Sequence, residues 1–158
     1  MKINDNLNYC ILSNNVTKEF LNKFSGYQIL DSNYTFNKLK EKLEMFPSKQ
    51  VVFNETLYNL RAKEREEILD LLKMQNIKFI NITSDIEQSL YADYIVVFDN
   101  LDIMIEGPKE GVLKEEKILK RLGYGLPFVV DLSAGLQVYD IFDKTYYDIP
   151  SLVGDLWN

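Results

Sequence analysis

The chain has no histidine and only one cysteine among its 158 residues. Without imidazole, the Ser-His-Asp and Cys-His forms of nucleophile activation are excluded, and so is histidine-ligated zinc. The single thiol, Cys10, allows neither an intrachain disulfide nor a thiolate zinc cluster. Any catalysis would therefore depend on carboxylates, lysine, tyrosine or a bound metal.

Long apolar runs and an excess of basic charge are also missing. No stretch of about 18 apolar residues occurs, so we expect no membrane-spanning helix, and the opening residues MKINDNLNY contain no apolar signal-peptide core. The 18 basic and 24 acidic side chains give a net charge of −6, which argues against the basic surface that nucleic-acid binding needs. We expect a cytoplasmic protein that binds no nucleic acid and does not insert into a membrane.

The order of apolar segments predicts one α/β unit with a mainly parallel sheet flanked by helices. Thr17 is the expected N-cap of the first helix, and Asn100 the expected turn of a hairpin. One continuous helix, ending at Gly123, is predicted in KEGVLKEEKILKRLGYG, and the last 35 residues, from Tyr124 onward, are predicted to be irregular. The segments that read as strands are NYCIL, YQILD, VVF, IKFINIT, DYIVVFD and LDIMIEG.

From Pro47 onward, the apolar strands are followed by short polar motifs in a recognisable order. These motifs are Asn54-Glu55-Thr56-Leu57, Ile82-Thr83-Ser84-Asp85 and Glu106-Gly107-Pro108. In this order the chain resembles the C-terminal half of ABC-type ATPases, especially the ATP-binding subunits of energy-coupling factor (ECF) importers. The resemblance implies a P-loop-NTPase-like core at residues 1–110 and an aromatic-rich extension at 111–158 that packs on it.

The resemblance also identifies positions where this chain departs from the family. The glycine-rich phosphate loop of the family corresponds to Ser13–Glu19, which contains no glycine. Only 20 residues separate Gly26 from Pro47, where the family has its glutamine loop and helical subdomain. We therefore expect that subdomain to be lacking. The degenerate nucleotide-site positions are Asn14, Asn15, Thr17, Lys18, Asn54, Glu55, Ser84 and Asp85.

Glu55 stands where the resemblance places the general base of ATP hydrolysis. A general base needs the phosphate and the metal to be held already. Asn54 replaces the aspartate of the Mg²⁺ shell, and Ser84 replaces the switch histidine. We therefore interpret Glu55 as a vestige and predict no catalytic residue, no metal site and no bound cofactor, ATP and Mg²⁺ included.

The predicted function is that of a non-catalytic, ABC-ATPase-derived subunit, which assembles or regulates a complex through protein contacts. The resemblance implies a dimer, with itself or with an intact ABC-type ATPase, peripheral to any membrane complex it joins. Aromatic side chains favour such a contact, although the same rings could simply pack on the sheet. The interface candidates are Tyr124, Phe128, Tyr139, Phe142 and Trp157.

A second function also stays open. The carboxyl ends of parallel strands form a crevice in α/β proteins. Asn54, Glu55, Thr83, Ser84 and Asp85 should meet there, where a nucleotide or another small ligand could bind without being hydrolysed.

Overall fold

A six-stranded sheet forms the centre of the computed structural model, which describes residues 1–158. Its spatial order is β2-β3-β4-β1-β5-β6, and only β6 runs antiparallel to its neighbour. The predicted α/β class with a mainly parallel sheet is confirmed. The strands are β1 (Tyr9–Leu12), β2 (Ile29–Leu30), β3 (Gln50–Asn54), β4 (Lys78–Thr83), β5 (Tyr94–Asp99) and β6 (Asp102–Pro108).

Seven α-helices connect and cover these strands, together with two 3-10 helices at Asn22–Phe24 and Ile86–Tyr91. None of the helices combines the length and the apolar character that a bilayer crossing requires. Between β2 and β3 there is one helix of nine residues, and the helical subdomain is lacking, as expected. The helices are α1 (Lys18–Leu21), α2 (Phe36–Glu44), α3 (Ala62–Met74), α4 (Lys109–Val112), α5 (Glu116–Arg121), α6 (Phe128–Val138) and α7 (Ile149–Leu156).

Alternating side chains of the central strand point to opposite faces of the sheet, and both faces are buried. In β1, Ile11 packs in the cluster that contains Phe20 and Phe24 of the first helical segment. Leu12 packs instead in a cluster with residues from the C-terminal helices. A third cluster joins β3 to α2 and α3. This arrangement explains why the strands are almost continuously apolar.

Local signals in the sequence begin and end several elements, and those at Thr17 and Asn100 were predicted. Thr17 caps α1, because its side chain accepts a hydrogen bond from the Phe20 N–H. Thr35 caps α2 in the same way, and that helix ends before Pro47. Asn100 forms the β5–β6 hairpin turn with φ of 54°, a left-handed conformation that asparagine tolerates better than most residues.

Two predictions for the C-terminal part were wrong. The expected continuous helix is divided into α4 and α5, because the adjacent Val112 and Leu113 both turn into the same apolar cluster. The region after Tyr124 is not irregular, since it contains α6 and α7. Its β-branched residues and Gly135 weaken the helical signal, and the cap that starts α7, Asp148 bonded to the Ser151 N–H, was overlooked.

The C-terminal helices are attached to the sheet by both apolar and polar contacts. Val129, Tyr146 and Leu152 join the cluster that contains β1 and β5. The Ser133 hydroxyl accepts from the Tyr146 N–H at 2.9 Å, and the Tyr146 hydroxyl donates to Asp155 at 2.6 Å. The residues after 110 therefore pack on the same sheet, while the division at residue 110 itself stays a prediction.

The packing of α7 predicts that alanine lowers the free energy of unfolding much more at one of two adjacent positions than at the other. Leu152 is 3% exposed and Val153 is 40% exposed. We expect Leu152→Ala to lower the free energy of unfolding by about 2–4 kcal/mol, because it leaves a cavity. Val153→Ala should change it by less than about 0.5 kcal/mol. Chemical denaturation measures both variants, and equal midpoints would contradict the docking of α7.

Candidate functional site

Glu55 joins the carboxyl ends of β3 and β4. Its carboxylate accepts a hydrogen bond from the Ser84 N–H at 2.6 Å and another from the Thr83 hydroxyl at 3.1 Å. The Glu55 N–H donates to the Ile82 carbonyl at 2.9 Å. Three of the five residues expected at this edge are thus in direct contact, namely Glu55, Thr83 and Ser84. Asn54, the residue before Glu55, donates its N–H to the Thr56 hydroxyl at 3.0 Å.

Asp85 belongs to a second chain of hydrogen bonds that runs into the core. It accepts from the Glu87 N–H and from the Gln88 side-chain amide. The carbonyl oxygen of Gln88 then accepts from the buried Asn81 amide at 2.9 Å. Because a carboxylate can only accept, Asp85 fixes the orientation of Gln88 and, through it, that of Asn81. The remaining oxygen of Asn81 has no hydrogen-bond partner in the structure.

The segment at Ser13–Glu19, which runs from the end of β1 into α1, is bonded to other parts of this chain. The Asn14 side-chain amide donates to the Leu122 carbonyl at 3.2 Å, and that of Asn15 donates to the Asn100 side chain at 3.1 Å. No residue of the segment has a positive φ. Lys18 is exposed and its side chain makes no salt bridge.

Cys10 lies on β1 beside Asn81 of β4 and is fully buried. Burial raises the pKa of its thiol far above the usual range, and the negative charges of Asp85 and Glu55 raise it further. A thiol that stays protonated is neither a nucleophile nor a metal ligand. Cys10 therefore serves as a core residue.

Comparison with known proteins agrees with this architecture. EcfA1 of Geobacillus kaustophilus, an energy-coupling factor transporter ATP-binding protein, is 30% identical over 112 residues, which cover 68% of this chain and 40% of that protein. EcfA1 of Bacillus subtilis is 32% identical over 112 residues, with the same shares. No protein-family model matches the chain.

The chain is a relative of the ECF transporter ATP-binding proteins. It spans about 40% of the length of these curated relatives. Among solved structures, cbiO1 of Clostridium perfringens, part of the ABC transporter complex cbiONQ, superposes with a TM-score of 0.50. The superposition covers 77% of this chain and 85% of that one at 13% identity, and it supports an ABC ATPase fold.

In this relative of the ECF ATP-binding proteins, the aromatic interface candidates differ in burial. Tyr124 is buried, its hydroxyl lies 3.5 Å from the Phe98 carbonyl oxygen, and burial raises its pKa to about 12. Tyr124 is therefore a core residue, because the cluster on β5 encloses its ring. Phe142 is half-buried against the same cluster. Phe128, Tyr139 and Trp157 are exposed.

Sequence reasoning missed two contacts that shape the site. Arg65 of α3 donates to the carbonyls of Leu57 at 2.7 Å and Tyr58 at 3.0 Å, which holds the turn after Glu55. Glu87 accepts from the Phe128 N–H at 2.6 Å, at the first turn of α6. The Glu87–Phe128 contact joins residues 41 positions apart, and Arg65 reaches back 7 and 8 positions across a turn. No local pattern of residues indicates either contact.

The bonds of Glu55 predict a measurable contribution to stability. We expect Glu55→Ala to lower the free energy of unfolding by about 2 kcal/mol, because it removes two hydrogen bonds to a charged acceptor. Glu66→Ala, at an exposed position on α3, is the matched control and should cost less than about 0.5 kcal/mol. Urea denaturation compares the two variants, and an equal loss would contradict the structural role of Glu55.

Proposed function

We propose that this chain is a non-catalytic subunit derived from an ABC-type ATPase, which assembles or regulates a complex through protein contacts. The observation that carries the proposal is the segment after β1. Its asparagine side chains are bonded to Leu122 and Asn100, and its backbone lacks the conformation that cradles a triphosphate.

A phosphate cradle needs backbone N–H groups that converge on one point. Such a nest alternates right-handed and left-handed residues, and glycine usually supplies the left-handed ones. Ser13–Glu19 contains no glycine and no positive φ. The Phe20 N–H at the start of α1 is already bonded to Thr17. These features all disfavour a bound triphosphate.

The charges near the strand ends disfavour Mg-ATP as well. Glu19 places a negative charge in the first turn of α1, where a phosphate would gain from the positive end of a longer helix. Asn54 offers a neutral amide in place of a carboxylate, and hard cations such as Mg²⁺ prefer carboxylate oxygens.

We expect the purified chain to release no phosphate from Mg-ATP above the level of Glu55→Gln. The intact EcfA1 of Bacillus subtilis is assayed alongside as the reference. Thermal unfolding with and without millimolar Mg-ATP distinguishes the second function, because a ligand at 100 times its Kd stabilises by about 2.7 kcal/mol. Phosphate release that Glu55→Gln abolishes would contradict the proposal, and stabilisation without release would favour non-hydrolytic binding.

The exposed apolar residues support protein contacts at the C-terminal end. On α7, Ile149, Val153, Leu156 and Trp157 are exposed and repeat at i, i+4, i+7 and i+8, so they form one side of the helix. Val138, Tyr139 and Ile141, at the end of α6, are exposed too. Large exposed apolar patches are typical of interaction sites, and we assign a partner, either a second copy or an intact ABC-type ATPase, to this surface.

Trp157 is 85% exposed and is the strongest anchor candidate, because tryptophan dominates interface energetics. We expect Trp157→Ala to weaken self-association at least about tenfold, while thermal stability stays unchanged. Met45→Ala is the control, since Met45 is 87% exposed and lies on the loop after α2. Sedimentation equilibrium measures the association. A chain that stays monomeric at roughly 1 mM would contradict self-pairing and leave pairing with an ATPase.

The second candidate function has one observation in its favour. A depression of about 470 Å³ lies at the strand ends, lined by Ser32, Glu55, Tyr58, Asn59 and Ser84. Its volume falls within the usual range for small-ligand sites. The depression lies on the β2–β3–β4 side of the sheet, and no residue of the Ser13–Glu19 segment lines it.

A further inference from the structure

We propose that the depression beside Glu55 receives an arginine side chain of a partner protein. The inference rests on the proposed function, because it gives a partner-binding role to a site without nucleotide chemistry. The depression is lined by one carboxylate, three neutral polar side chains and one aromatic ring. No lysine or arginine lines it, so it is complementary to a cation and not to a phosphate.

The first argument is that the Glu55 carboxylate has no counter-ion. The residue is half-buried, and the salt bridges of the chain lie elsewhere, at Arg61–Glu64, Glu116–Lys120 and Lys144–Asp155. Two neutral donors, the Ser84 N–H and the Thr83 hydroxyl, occupy one site on each oxygen. A carboxylate has about four acceptor sites, so each oxygen can accept one more hydrogen bond. A half-buried charge gains most from a partner of opposite sign.

The second argument is the backbone conformation of Glu55. Its φ is 53°, in the left-handed region, which costs a residue with a side chain about 1 kcal/mol or more. Glycine or asparagine would adopt this conformation at lower cost. The conformation is held by the bond from the Glu55 N–H to Ile82. Strain of this kind clusters at functional sites, and here it holds a carboxylate at the depression.

The third argument is that an aromatic side chain lines the same depression. Tyr58 is 59% exposed and lines the depression. Its backbone and that of Leu57 are held by the Arg65 guanidinium. An aromatic ring that lines the same depression as a carboxylate suits a planar guanidinium, which can stack on the ring and bind the carboxylate with two N–H groups. Lysine, with a compact ammonium group, fits this pair less well.

The test is an NMR titration of the ¹⁵N-labelled chain at about 0.15 M salt, where distant charges are screened. The probes are butylguanidinium and its neutral analogue butylurea, which have nearly the same shape. We expect saturable shifts of the Glu55, Tyr58 and Ser84 amides with butylguanidinium only. Glu55→Gln and Tyr58→Leu should each weaken the binding about fivefold or more. Glu66→Gln, an exposed carboxylate on α3, is the control and should leave it unchanged.

The outcomes separate this inference from the proposed function. An equal response to butylurea, no saturable shift at these amides, or binding that survives both Glu55→Gln and Tyr58→Leu would overturn the arginine site alone. The Tyr58 variant keeps the hydrogen bonds of Glu55 intact, so it tests the site even if Glu55→Gln is unstable. Hydrolysis of ATP, by contrast, would overturn the proposed function.

Discussion

The hydrogen bond from the Ser84 N–H to the Glu55 carboxylate ties together the ends of two parallel strands, and the chemistry of this edge follows from it. Parallel strands bring polar residues to one edge, but they do not decide what those residues bond to. Here the carboxylate is bonded to β4 through both of its oxygens. In a hydrolytic site the same group would have to orient a water molecule next to a bound phosphate. Glu55 thus connects the ends of two strands through both oxygens of its carboxylate.

The segment after β1 complements this arrangement, because it too is bonded within the chain. Asn14 donates to Leu122, which follows α5, and Asn15 donates to the β5–β6 turn. These side chains join the start of the chain to residues about 85 to 108 positions away. A segment that wraps a phosphate leaves its N–H groups free for the ligand. The side chains of Asn14 and Asn15 thus tie this segment to distant parts of the fold.

The parts of the structure that were predictable are those decided by local chemistry. The apolar strands, the Thr17 cap and the Asn100 turn each depend on a few neighbouring residues. The left-handed conformation of Glu55 could not be predicted, because it arises from pairing with Ile82 on another strand. The hydrogen bonds from Arg65 to the carbonyls of Leu57 and Tyr58 depend in the same way on where α3 lies. The helix α6 was not predicted because its apolar residues surround the helix, and α7 because it is short and contains Pro150 and Gly154. Tyr124 itself is enclosed by the cluster on β5.

The C-terminal helix has a buried apolar side and an exposed apolar side. Leu152 is buried on one side of α7, while Val153 and Trp157 are exposed on another. A monomer gains nothing from apolar side chains that stay in water, because their stabilising effect depends on the area removed from solvent. A partner that covers this side would bury them without changing the contacts of Leu152. The inner side of the helix therefore stabilises the fold, and the outer side is where the proposed partner would remove further apolar surface from water.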